Sequence, residues 1–139
     1  MVSKEVIIKR LSVLEEAVKR LSSISKIPLE EFLENWLYHS AALREFQVAI
    51  EACMDIGQHL ISEMGWEMPR AYKEIPEILA RHKVIPPEFA ETLKKMISFR
   101  NLIVHEYVLI DLKLVYKNLE NVKDFQKFAQ FIEEFLFKN

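Results

Sequence analysis

In the run SFRNLIVHEY, residues 98–107, an arginine, an asparagine, a histidine and a tyrosine interrupt a stretch of apolar side chains. At about 100° per residue, with Leu93 set to zero, Phe89, Met96, Ile97, Ile103, Val104 and Tyr107 all fall within about 80° of it. Arg100 falls at about −20°, close to the middle of that apolar face. A guanidinium keeps its proton in proteins, so burying it unpaired costs several kcal/mol. A carboxylate partner, a hydrated cleft or an anionic ligand would offset that cost.

His105 lies about 120° from Leu93, beside Asn101 at i−4 and near Lys94 and Ser98. Arg100 and His105 are therefore about 140° apart in a regular helix. They meet over one ligand only if the arginine's reach, a loosened helix end or a second subunit closes the gap. Tyr107, seven residues after Arg100, returns to nearly the same side. Phe99 and Leu102 make the back of the wheel apolar as well. The helix is thus expected to be buried on more than one side, with a bundle core on one and a dimer contact on another. A plainer reading stays open: Arg100 pairs with a helix carboxylate, His105 ends its helix, and Tyr107 is core.

Other groups are weaker candidates. Glu51, Asp55 and His59 stand at i, i+4 and i+8, a spacing from which a metal site can be imagined. They face away from the apolar stripe of their helix and have no E-x-x-H companion, so a solvated or interface face is the expectation and no metal site is assigned. Lys94 and Lys95 precede the motif by one to two turns and read as charged surface, with phosphate binding as the alternative. His39 has no ligand spacing, and His82 is expected to meet the carbonyls at a helix end. Cys53, the single cysteine, lies in an apolar run and reads as an inert buried thiol. No glycine-rich phosphate loop is present.

The elements that must position these residues are helical. Ile7, Leu11, Leu14, Val18 and Leu21 form one stripe between Glu5 and Leu21. Pro28 suits the start of a second helical region reaching about Ser62, with a bend or break near NWLYHSA; its clearest stripe is Ala42, Phe46, Ala49, Cys53, Ile56 and Leu60. MGWEMPRAYKEIP reads as a loop before a short helix around Glu77–His82. Pro86–Pro87 opens the helix that carries the motif. Asp111 is expected to cap a short helix, LKLVYKNL, and Asn121 a last one striped by Phe125, Phe128, Ala129, Ile132, Phe135 and Leu136. The expectation is one all-α domain over residues 1–139, an up-and-down bundle of four to six helices.

Composition narrows the function. With 139 residues, half of them hydrophobic, the chain is long enough for a sizeable core. A formal net charge of −2 argues against coating nucleic acid electrostatically but not against a local basic cleft. No run approaches the ~20 apolar residues of a membrane span, and the N-terminus does not read as a signal peptide. A soluble, cytoplasmic protein without a membrane partner is expected.

The residues RNLIVHEY resemble the R-x4-H-x-Y signature of the HEPN superfamily, in its HepT-like branch of small helical toxin ribonucleases. The flanking PRAYKEIPEILARHKVIPPEFAETLKKMISF, the following VLIDLKLVYKNL and the earlier AALREFQVAIEACMDIGQHLI are also similar to stretches of that branch. The resemblance covers about residues 5–137. It implies a helical bundle that pairs as a homodimer, with Arg and His lining a shared cleft. It also implies metal-independent RNA cleavage with no cofactor. His105 would be the general acid/base, an assignment that suits an imidazole. Arg100 would hold the scissile phosphate, and Asn101 would orient His105 or contact that phosphate. Tyr107 matches the tyrosine that a partner antitoxin, a minimal nucleotidyltransferase, modifies with AMP. The alternative within the superfamily is a non-catalytic module that binds nucleotide, RNA or a partner protein.

Overall fold

The computed structural model describes residues 3–138. Among them are seven α-helices and no strand: α1 (Lys4–Ile24), α2 (Leu29–Glu34), α3 (Trp36–Met64), α4 (Glu74–Arg81), α5 (Pro87–His105), α6 (Leu112–Asn118) and α7 (Lys123–Lys138), with a 3-10 turn at Leu119–Asn121. The expected all-α bundle is present, with seven helices among the described residues rather than four to six. The second helical region divides in two because Asn35 is extended (φ −100°, ψ 106°), which ends α2, while its side chain accepts from the Leu37 amide at 3.0 Å and so starts α3.

Each expected stripe becomes core. Ile7, Leu14, Val18 and Leu21 of α1 are buried, as are Ala42, Phe46, Ala49, Cys53, Ile56 and Leu60 of α3 and Phe125, Phe128, Ile132 and Leu136 of α7. Full burial of such aliphatic and aromatic side chains is worth about 1.5–3 kcal/mol each, which is why these faces set the packing. α1 and α3 form the most extensive contact, and α5 lies against α3 and α4. Gly57 lets α4 close on α3: a β-carbon there would stand 2.6 Å from Ile75 Cγ2 and 3.3 Å from Leu79 Cδ1.

Helix ends decide where the motif sits. Gly65, at φ 71°, terminates α3 in a left-handed cap that an L side chain rarely adopts. Pro86 is extended and Pro87 occupies the first turn of α5, as the sequence suggests. The Asp111 side chain accepts from the Lys113 amide at 2.9 Å and caps α6 as expected. Asn121 does not cap α7. It lies inside the 3-10 turn, and the chain passes through helical Val122 (φ −58°, ψ −30°) into α7 without a fresh start to cap.

Candidate active site

Arg100 answers the burial question with a carboxylate. Its Nε donates to Glu51 Oε2 at 2.9 Å and its Nη2 lies 2.8 Å from the same oxygen, joining α5 to the middle of α3. Gln47, one turn earlier on α3, donates to that Glu51 oxygen at 3.2 Å and holds it in place. Nη1 of Arg100 donates to Asn101 Oδ1 at 3.1 Å. The Tyr72 ring covers the guanidinium from the segment before α4, its centroid 5.7 Å from Cζ. A guanidinium has five N–H groups. Nε and Nη1 each donate one and Nη2 turns one to Glu51 in the ion pair; among the described residues, one on each terminal nitrogen is left for an anion. With its side chain 19% exposed, Arg100 sits at the edge of the bundle rather than in its core.

Of the other motif residues, only Asn101 meets it among the described residues of one chain. Asn101 is hydrogen-bonded to Arg100, not to His105. His105 is the last residue of α5, exposed, and its imidazole has no hydrogen bond or ion pair among the described residues. Tyr107 does not return to the arginine's face, because the wheel stops applying: Glu106 leaves helical geometry (φ −121°, ψ 28°) and Leu109 bonds back to it in a turn that returns Ile110 to the core. Tyr107 is therefore 55% exposed on that turn, followed by Val108 at 89% and Leu109 at 81%. The expected two-sided burial of α5 is met partly within the chain, since Phe99 packs edge-on against Phe46 at 5.1 Å. Val104, expected in the apolar face, is exposed instead.

The remaining candidates separate. Glu51 holds Arg100, Asp55 lies 3.9 Å from Arg10, and His59 lies 3.3 Å from Glu63, so the three turn to three different partners. No group of metal-ligating side chains occurs among the described residues. Lys94 binds Glu77 at 2.9 Å and Glu91 at 3.1 Å; its hydrogen bond to Glu77, foremost, raises its ammonium above the ordinary lysine range. His82 does not turn to helix carbonyls. It stacks on Trp66 and faces Glu67, a better use of a ring than bonding α4's last carbonyls. Cys53 is fully buried, and desolvation pushes its thiol far above the usual range, as an inert core residue requires.

Two side chains of the site give little signal in the sequence. Tyr72 was only part of a loop, and Glu51 only part of a charged face. The one signal for Glu51 was its place beside buried Ile50 and Ala52, which puts it at the border of the core stripe.

A family model described as "Ribonuclease HepT-like" matches residues 14–135. The chain belongs to the HepT-like ribonuclease family. Its relatives include the mRNA nuclease HepT of Shewanella oneidensis, 24% identical over 93% of this chain and 97% of that protein. A relative in Archaeoglobus fulgidus is 30% identical over 97% of this chain and 96% of its own. The fold is similar to that of a tri-AMPylated Shewanella oneidensis HEPN toxin solved in complex with MNT antitoxin, with a TM-score of 0.85 and 24% identity over 93% of this chain and 97% of that one. At that identity the likeness shows the fold. No helix among the described residues is long and apolar enough to cross a membrane.

Proposed function

We propose that this chain is the toxin of a toxin–antitoxin pair, a metal-independent endoribonuclease that works at a cleft shared by two copies. What supports it most is the state of the motif in a HepT-like ribonuclease: among the described residues Arg100 is held firmly yet keeps two N–H groups unused, and His105 is exposed and unpaired at the end of the same helix. In this reading His105 takes the proton of a ribose 2′-OH. The 2′-oxygen bonds to phosphorus as the bond to the 5′-oxygen breaks, and an imidazolium returns a proton to that leaving oxygen. The products are a cyclic phosphate and a 5′-hydroxyl. Arg100 binds the phosphate oxygens as charge builds on them, while Glu51 and Asn101 keep the guanidinium from swinging away.

A second copy supplies a second Arg100 and His105. That pairing closes the gap that α5 leaves between them in one chain, and it gives the two proton transfers separate imidazoles. The exposed side chains Val104, Val108 and Leu109 beside the motif are suited to such a contact. A minimal nucleotidyltransferase antitoxin would adenylylate Tyr107, whose exposure fits a modification site. The added phosphates and adenosines next to the motif would exclude RNA by occupancy and repulsion.

The test is expression in a bacterial host. Wild type should stop growth; Arg100→Ala and His105→Ala, soluble at equal levels, should not. Co-expression of a nucleotidyltransferase partner should restore growth and add AMP mass to wild type, but do neither for Tyr107→Phe. Equal toxicity of the His105→Ala protein would contradict the proposal.

A further inference from the structure

Tyr72 has no part in the chemistry described above. It belongs to the segment 65–73 between α3 and α4, which is pinned at both ends. The Trp66 indole lies flat on the His82 imidazole, centroids 4.0 Å apart and planes within 5°. Glu67 accepts from Arg81 and faces His82 Nε2 at 3.3 Å. At the far end the Arg70 amide donates to Glu74, and the carbonyls of Ala71 and Tyr72 accept from the amides of Glu74 and Ile75 at 3.0 and 3.1 Å. The Tyr72 backbone is thereby fixed as the lead into α4, yet its side chain is not core.

The residue is 47% exposed and its hydroxyl has no hydrogen bond among the described residues. Tyr116 shows the contrast: half-buried, packed on Phe32 with ring centroids 5.0 Å apart, and donating its hydroxyl to the Ile27 carbonyl at 2.6 Å. What Tyr72 does touch is the Arg100 guanidinium, within cation–π range. A pre-positioned ring that is half open to water, set beside a guanidinium with unused donors, has the chemistry of a stacking platform next to a phosphate site. Unpaired RNA bases are recognised in this way, by stacking on aromatic faces. Such stacking tolerates any base, since every base has a π-face.

We propose that Tyr72 is a substrate-positioning residue: an unpaired RNA base next to the scissile phosphate stacks on its ring while Arg100 holds the phosphate. The proposal deepens the ribonuclease reading and rests on it. It makes single-stranded RNA the substrate class, with weak base preference at the stacked position. Because the backbone of Tyr72 is already fixed, little ordering is needed when RNA binds.

The test measures binding of a short single-stranded RNA to His105→Ala protein, which leaves the RNA uncut. Adding Tyr72→Ala should weaken binding about tenfold or more, within the range of one lost base–aromatic stack. Tyr72→Leu, which keeps bulk and guards against a folding failure, should weaken it similarly, whereas Tyr72→Phe should stay within about twofold. An abasic nucleotide moved along the RNA should reproduce the loss at one position with Tyr72 present, and cause no further loss there with Tyr72→Ala. A ring that merely steadies Arg100 would show no such position, and that result overturns the proposal.

The two readings fail separately. RNA cleavage by wild type that Tyr72→Ala leaves unchanged, with unchanged binding, sinks the stacking residue alone. Binding without cleavage by wild type, with the abasic pattern intact, sinks the ribonuclease and keeps the stack. A wild-type protein that binds no RNA sinks both.

Discussion

The Glu51–Arg100 pair can be measured by a double-mutant cycle with Glu51→Ala, Arg100→Ala and the double variant. Exposed ion pairs contribute about 0–1 kcal/mol, and breaking a fully buried one costs about 3–5 kcal/mol. This pair lies between, with side chains 19% and 34% exposed and two guanidinium nitrogens on one oxygen. A coupling energy of about 1.5–2 kcal/mol is expected, the low end of the range for hydrogen bonds to charged groups. The single variants should differ. Glu51→Ala strands a largely buried cation that keeps, among the described residues, Asn101 and the Tyr72 ring, whereas Arg100→Ala leaves Glu51 with the Gln47 donor. Glu51→Ala should therefore be the more destabilising of the two. Urea unfolding at one protein concentration, with linear extrapolation, reads all four proteins. A coupling below about 0.3 kcal/mol, the ordinary scatter of additivity, would refute the pair as what offsets the burial of Arg100.

Two further changes probe the frame around the site. Gly57→Ala gains about 1 kcal/mol of helix propensity but drives a β-carbon to 2.6 Å from the Ile75 γ2 methyl, which is fully buried. Against an overpacking cost of about 1–3 kcal/mol, the net change should be a destabilisation of up to about 2 kcal/mol, and a rise in Tm would contradict the tight α3–α4 contact. Stability should also depend on acid pH. Glu67 is held below the ordinary carboxylate range by its own backbone amide first and then by His82, and Glu77 by Lys94. Carboxylates depressed on folding contribute above their unfolded pKa and lose that contribution as pH falls through the folded one. Thermal melts should show stability falling below about pH 4.5, the carboxylate reference from which both are lowered, with a flatter fall in Glu67→Gln and Glu77→Gln; identical profiles would contradict these pairings.

What could be read in the sequence was periodic or local. Apolar stripes at helical spacing marked the faces of α1, α3 and α7 that are buried. Asp111 and the break before Trp36 were legible because caps and breaks act over two or three residues. What was not legible depended on where helices stop or how they register. Tyr107 was misplaced because a wheel assumes the helix continues past Glu106. The Glu51–Arg100 pair spans 49 positions in sequence and needs the register of α3 against α5. Tyr72 meets Arg100 only because Trp66, Glu67 and Glu74 fix a loop that has no periodicity to read. His82 looked like a helix-end residue and is one, but the indole beside it decides where its ring lies.

The most direct measurement is RNA cleavage in excess EDTA by wild type, Arg100→Ala and His105→Ala, each confirmed folded by circular dichroism and unmodified at Tyr107 by intact mass. Wild type should cut single-stranded RNA, and each variant should lose about 100-fold or more of that rate, the scale expected when an acid/base or charge-stabilising group is removed. Cleavage by His105→Ala at the wild-type rate, or none by folded and unmodified wild type, would contradict the account.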